Sequence, residues 1–463
     1  MKARMEFSDY QIRQLTNLLT SFVGIAGIAL FFILLLASGA MRATRWWTLA
    51  GLLYVSTLGA FAFTGHNLFT PLQELRDFGR SVCVGLLIVL AVPTLRSSRE
   101  WRMRSALAGT VVFFFYEMIC SVRAVFGGDF EHGYFGAITY CLIFFTLAIG
   151  LGRWLQTIED ALAALRCIVA AGIMVIVGSA IQYAINPAEV IWSGRLIGTT
   201  ANANFLGTLL AVCLLPTLYF ATRTGATNRT RIGSMTLAAV TAVMMIWTGS
   251  RTGVAMGIAG VAMQFRRRMG RFVLVSAIGG AMSLLVWQAA SPDSSTTDRF
   301  VNITNTRTSV WGVMWNEFVD NPLIGASREQ ATQSENSYLM VASRTGMLGL
   351  LPLLWSMALI VSSLLELRRY RRVLGQHREL LDLLLAAFIS LAVGALFEGY
   401  LFGIFSIPVL SVYIYLALLA FLLDYAKAAV AESALAVETD RTVEEMYGDP
   451  SSYSDAAIVR NYN

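Results

Sequence analysis

Histidine and paired cysteine are scarce in this chain of 463 residues, which holds three histidines and five cysteines. Cys83, Cys120, Cys141, Cys167 and Cys213 fall in or beside apolar stretches with no paired spacing, so neither a disulfide framework nor a zinc site is indicated. Charge is sparse too. Asp, Glu, Lys and Arg make up 14% of residues against 56% hydrophobic, and the mean hydropathy of +0.62 excludes a soluble enzyme of this length. Nucleotide-binding motifs, solenoid repeats and low-complexity tracts are missing, and the first apolar run starts too late, and without a small-residue cleavage site, to be a removed signal. A retained helix is expected there.

What the chain has in abundance is apolar runs of membrane-spanning length. Candidate spans lie near 18–38, 47–65, 78–95, 105–126, 135–152, 167–186, 202–221, 232–248, 253–265, 272–289, 346–364, 380–397 and 404–424, the ninth being short. The expected fold is an all-α polytopic membrane protein of about 12 to 13 helices. Its domains are a membrane domain over 1–425, an external loop over 290–345 within it, and an acidic, disordered cytoplasmic tail over 426–463. That tail holds seven acids and three bases, so the net charge of +6 (35 minus 29) leaves +10 elsewhere. The basic excess gathers in short connections, Arg96 to Arg104, Arg223 to Arg231, Arg266 to Arg271 and Arg368 to Arg378, as in cytoplasmic loops and not as in a nucleic-acid surface. Helix parity then puts Gly127 to Tyr134, Pro187 to Ala201, Gly249 to Thr252 and Ala290 to Thr345 outside. Carried back to the start it also puts Lys2, Arg4 and Arg13 outside, against the charge rule.

The 290–345 loop carries the richest pattern. Trp311, Trp315 and Phe318 recur at helical spacing, so Arg307 to Val319 reads as an amphipathic helix with an aromatic stripe, suited either to interfacial anchoring or to substrate stacking. Pro322 to Gly325 ends it, and Ser334 is placed to cap a second helix beginning at Glu335. Arg299, Arg307, Arg328 and Arg344, joined by Arg195 and Arg251 at outward helix ends, lie on the side that the charge rule keeps poor in arginine. Guanidinium forks match phosphate oxygens, so a polyanion such as a diphosphate is the natural ligand. Glu117 and Glu398 are charged residues set within apolar helices.

Thr248-Gly249-Ser250-Arg251-Thr252-Gly253 resembles the Ser-Arg signature of the O-antigen ligase and polysaccharide polymerase superfamily. Arg195-Leu196-Ile197-Gly198, followed by Asn202 and Asn204, is similar to that family's Arg-x-x-Gly segment. So are Arg307 with Trp311, Asn321-Pro322-Leu323-Ile324-Gly325, Glu335-Asn336-Ser337-Tyr338-Leu339 and Thr345-Gly346-Met347-Leu348-Gly349. The resemblance covers roughly 195 to 350. It departs from the ligases at Glu335, where they usually carry histidine.

The resemblance implies a metal-independent, GT-C-like glycosyltransferase of the bacterial inner membrane with its site facing the periplasm and no cofactor. The donor would be a glycan on undecaprenyl diphosphate and the acceptor a second glycan or a lipid, with membrane lipids around the protein and a chain-length regulator as possible partner. Catalytic roles would fall to Glu335, Arg251 and Arg307, and substrate binding to Arg195, Asn204, Asn336, Tyr338, Arg299, Arg328 and Trp311. Polymerisation of repeat units is the favoured activity. Ligation to lipid A core, and transport of lipid-linked sugars without chemistry, are the alternatives.

Overall fold

A chain surrounded by hydrocarbon must satisfy its backbone N–H and C=O groups internally, which favours helices. The computed structural model describes residues 42–59, 67–96, 108–127, 130–267, 307–326, 335–401 and 405–447. These residues are mainly helical. In chain order they form α1 (Arg42–Gly59), α2 (Thr70–Asp77), α3 (Gly79–Arg96), α4 (Ala108–Phe126), α5 (Phe130–Ile143, passing through a π-helical stretch Phe144–Gly150) and α6 (Ile158–Ile185). A two-stranded ribbon, β1 (Ile191–Trp192) and β2 (Arg195–Leu196), leads into α7 (Ala203–Thr222), α8 (Asn228–Trp247) and α9 (Arg251–Gln264). Then come α10 (Arg307–Asp320), α11 (Ser337–Arg369), α12 (Arg378–Phe397) and α13 (Ile407–Tyr447).

Among the described residues, nine helices are long and apolar enough to cross a membrane, as befits a multi-pass membrane protein. The expected spans at 18–38 and 272–289 lie outside the described residues. The described part of the span at 47–65, residues 47–59, lies in α1, and the span at 253–265 corresponds to α9. At 14 residues and a rise of about 1.5 Å per residue, α9 reaches only about 21 Å, less than the ~30 Å hydrocarbon core. It packs between α7 and α12. The segments of α7 and α13 are 94% buried, whereas that of α8 is 17% buried, so α7 and α13 form the centre and α8 the rim.

Contact between α7 and α9 is backbone to backbone. A Cβ at Gly253 would lie 2.5 Å from the Gly207 carbonyl carbon, and one at Gly207 would lie 2.5 Å from Ser250 Cβ. Small residues that let helices touch are the usual substitute for a hydrophobic driving force in lipid.

α7, α9 and α12 share two ends. At one, Asn204, Ser250, Thr252 and Glu398 meet; at the other, Arg266 and Arg371 bond Asp382, and Thr224 bonds Glu379. α13 runs beyond the expected end of its span to Tyr447. The stretch from Ala426 to Ala436 is rich in alanine with Lys427 and Glu432, strong helix formers that carry the helix onward. The remaining tail, 448–463, lies outside the described residues.

Candidate active site

Three turn segments and one amphipathic helix build the site. Asn202 caps α7, its side chain accepting from the Asn204 and Phe205 N–H groups, and Ser250 caps α9 by accepting from Gly253 N–H. The cap segments are tied together by Arg195. Its Nε donates to the Thr248 carbonyl and its Nη2 to Asn204 Oδ1, both at 2.8 Å, while Ser250 Oγ donates to the Asn204 carbonyl at 3.4 Å. At 9% exposure, Arg195 fixes the two segments against each other, and Asn204 is its acceptor. Arg251 stands exposed at the first turn of α9.

A helix runs Arg307–Asp320. Its first residue is the hub. Arg307 donates to the Phe397 carbonyl, to Glu398 Oε1 at 2.7 Å and to Thr252 Oγ1 at 3.4 Å, and Thr252 Oγ1 itself lies 3.4 Å from Glu398 Oε1. The Glu335 carboxylate is 3.9 Å from Arg307 Nε. Glu398 follows the last turn of α12 and its N–H bonds the Gly394 carbonyl. Burial pushes its carboxyl above the ordinary value of 4.5, and Arg307 draws it part of the way back. Glu335 is 43% exposed where Glu398 is 20%, so one carboxylate anchors Arg307 and the other faces outward beside it.

Trp311, one turn after Arg307, sets its ring against Phe397 with centroids 6.2 Å apart, and among the described residues its buried Nε1–H has no acceptor. Trp315 pairs with Phe318 at 5.6 Å and is exposed, as are Val313 and Val319. The stripe therefore divides: its first member packs on α12 and its second is exposed.

The second helix starts later than expected. Its cap is Asn336, not Ser334, and α11 begins at Ser337. The Asn336 side chain accepts from the Tyr338 and Leu339 N–H groups and donates to the Leu396 carbonyl at 2.8 Å. With both ends of its amide used, Asn336 is a joint between α11 and α12. Ser337 Oγ donates to the Glu398 carbonyl, and Tyr338 Oη to that of Ala392. Arg299 and Arg328 lie outside the described residues.

Two further motifs interlock. α11 breaks at Gly346, whose φ of +59° suits glycine. The N–H groups freed by the break, those of Met347 and Leu348, donate to the Pro322 and Leu323 carbonyls, and Ala326 N–H donates to the Ser343 carbonyl. Arg123 on α4 completes the knot by donating to the carbonyls of Ile324, Gly325 and Arg344. Glu317 packs beside it; burial raises its carboxyl, and a hydrogen bond with Ser343 and the charge of Arg344 oppose this.

Sequence reasoning missed Thr252, Arg123 and the role of Glu398. Glu398 left a trace as a charged residue set in an apolar run that would need a partner, and Thr252 only as a member of the Ser-Arg segment. No protein-family model matches the chain, and no curated protein matches its sequence.

Proposed function

We propose that this chain is a membrane glycosyltransferase that polymerises surface-polysaccharide repeat units carried on undecaprenyl diphosphate. The observation that carries the reading is the meeting of Arg307 with Thr252, the residue after Arg251 at the start of α9, with Glu398 and with the outward carboxylate of Glu335. Arg251 and Arg307 bind the diphosphate, and Arg195 is a positioning residue that fixes the helix start carrying Arg251. An acceptor hydroxyl attacks the anomeric carbon, the bond from that carbon to the diphosphate oxygen breaks, and undecaprenyl diphosphate leaves with the bond's electron pair. Negative charge grows on the leaving group, where fixed guanidinium donors stabilise it most. Glu335 takes the acceptor proton. The unmet Trp311 Nε1–H is a donor available to a sugar oxygen.

The basic connections belong to the cytoplasmic face, so the site faces the periplasm of an inner-membrane protein. A carboxylate at 335, where ligases of the resembled superfamily usually carry histidine, favours the polymerase. Deletion of the gene in its native host tests this: single repeat units on the surface support polymerisation. Full-length chains left on the lipid carrier would indicate ligation, and repeat units held on the cytoplasmic face would indicate transport.

A further inference from the structure

At the end of α7, α9 and α12 opposite the candidate active site, a cavity of about 300 Å³ is lined by Tyr219, Thr222, Gln264, Phe265, Arg267, Arg371, Arg378, Glu379 and Asp382. Every carboxylate oxygen on its wall already accepts a hydrogen bond. Asp382 takes Arg266 on one oxygen and Arg371 on the other, each at 2.8 Å. Glu379 accepts from the N–H and the hydroxyl of Thr224 at 2.9 and 3.0 Å. The arginines are not matched in the same way. Among the described residues, Arg371 Nη1 is buried with no acceptor, and the Arg267 and Arg378 side chains make no hydrogen bond or close ion pair, acting on Asp382 only through their charge at longer range. Three arginines on one wall, one with a stranded buried donor, call for an anion with several acceptor oxygens.

We propose that this cavity binds a phosphate group, supplied by the headgroup of an anionic lipid. It opens where the spans Ala203–Thr222 and Gly375–Phe397 end, which is headgroup depth, and it combines arginines with Tyr219 and Phe265, the aromatic and basic mixture that suits an interface. Basic pockets between membrane helices on the arginine-rich side are placed to hold such headgroups. The site serves binding and owes nothing to the reaction proposed at the opposite end.

The test uses the purified full chain in neutral detergent, titrated with phosphatidylglycerol, with phosphatidylcholine and with inorganic phosphate, and reads the unfolding midpoint and the apparent Kd. Phosphatidylglycerol should raise the midpoint and phosphatidylcholine should not. The double variant Arg267→Gln, Arg378→Gln spares every hydrogen bond of the Asp382 cluster. Loss of two charge-assisted donors to the headgroup should make it bind phosphatidylglycerol at least about 10-fold more weakly. Inorganic phosphate that raises the midpoint as far as the lipid does would keep the phosphate site and assign it to a soluble anion. Stabilisation by neither anion, or equal stabilisation of wild type and the double variant, would overturn the proposal.

Discussion

Replacing Arg307 by lysine separates a guanidinium that reacts from one that merely braces. In the folded chain Arg307 serves the Phe397 carbonyl, Glu398, Thr252 and, at longer range, Glu335. A lysine ammonium keeps the charge but is a compact point on a flexible stem, able to meet Glu398 while giving up at least one other partner. A hydrogen bond involving a charged group contributes about 1.5 to 3 kcal/mol. Arg307 and Glu398 are 21% and 20% exposed, so water softens the loss and the lower figure applies. The unfolding midpoint of Arg307→Lys should fall by a few degrees, leaving nearly all of the protein folded at growth temperature. Activity should fall much further, because one lost donor aimed at transition-state charge costs about 10²- to 10³-fold. The assay is glycan chain length in a complemented deletion strain, with membrane abundance and midpoint measured in parallel. Wild-type chain length with a lowered midpoint would make Arg307 a brace and remove it from the chemistry.

Gly253→Ala should cost about 1 to 3 kcal/mol, because its Cβ would meet the backbone of Gly207, and the displaced start of α9 should lower activity with it; Gly233→Ala, with open space around it, is the control and should match or exceed wild type in midpoint. Arg123→Gln strands carbonyls of Ile324, Gly325 and Arg344 at the α11 break, at about 1 to 3 kcal/mol for each that water does not reach, so an unchanged midpoint would show that the knot holds without it. Glu398 titrates above its ordinary value because burial disfavours its charge. The folded chain therefore holds that proton more tightly than the unfolded chain, and stability should decline as pH rises from the ordinary carboxylate range through the raised value. Glu398→Gln should lack that step, and a step of the same size in the variant would assign it to other groups.

Hydropathy made most of the helices legible, since runs of apolar residues in lipid leave the backbone little choice. The aromatic spacing of Trp311, Trp315 and Phe318 likewise located α10 to within a residue at its end. Local chemistry was less readable. Ser334 and Asn336 are both good cap residues, and what selects Asn336 is its second bond, to the Leu396 carbonyl of a helix 60 residues away. Arg195 carries a tie that its motif does not report: its side chain bonds both the Thr248 carbonyl and Asn204. Glu398 and Thr252 became visible as a pair only when α9, α10 and α12 were brought together. The motif segments 321–325 and 345–349 also look independent in the sequence; the break at Gly346 joins them through backbone bonds that no side-chain pattern reports.

The most direct test of the central claim is reconstitution. The purified chain in nanodiscs would be supplied with undecaprenyl-diphosphate-linked repeat units, and both glycan length and released undecaprenyl diphosphate would be followed. Wild type should yield a ladder of products with one carrier released for each bond formed. Glu335→Gln, nearly isosteric, should be about 10²- to 10⁴-fold slower at an unchanged midpoint, as expected for loss of a positioned base. Lipid-linked units that stay single with folded wild-type protein, or a Glu335→Gln protein as fast as wild type, would contradict the account.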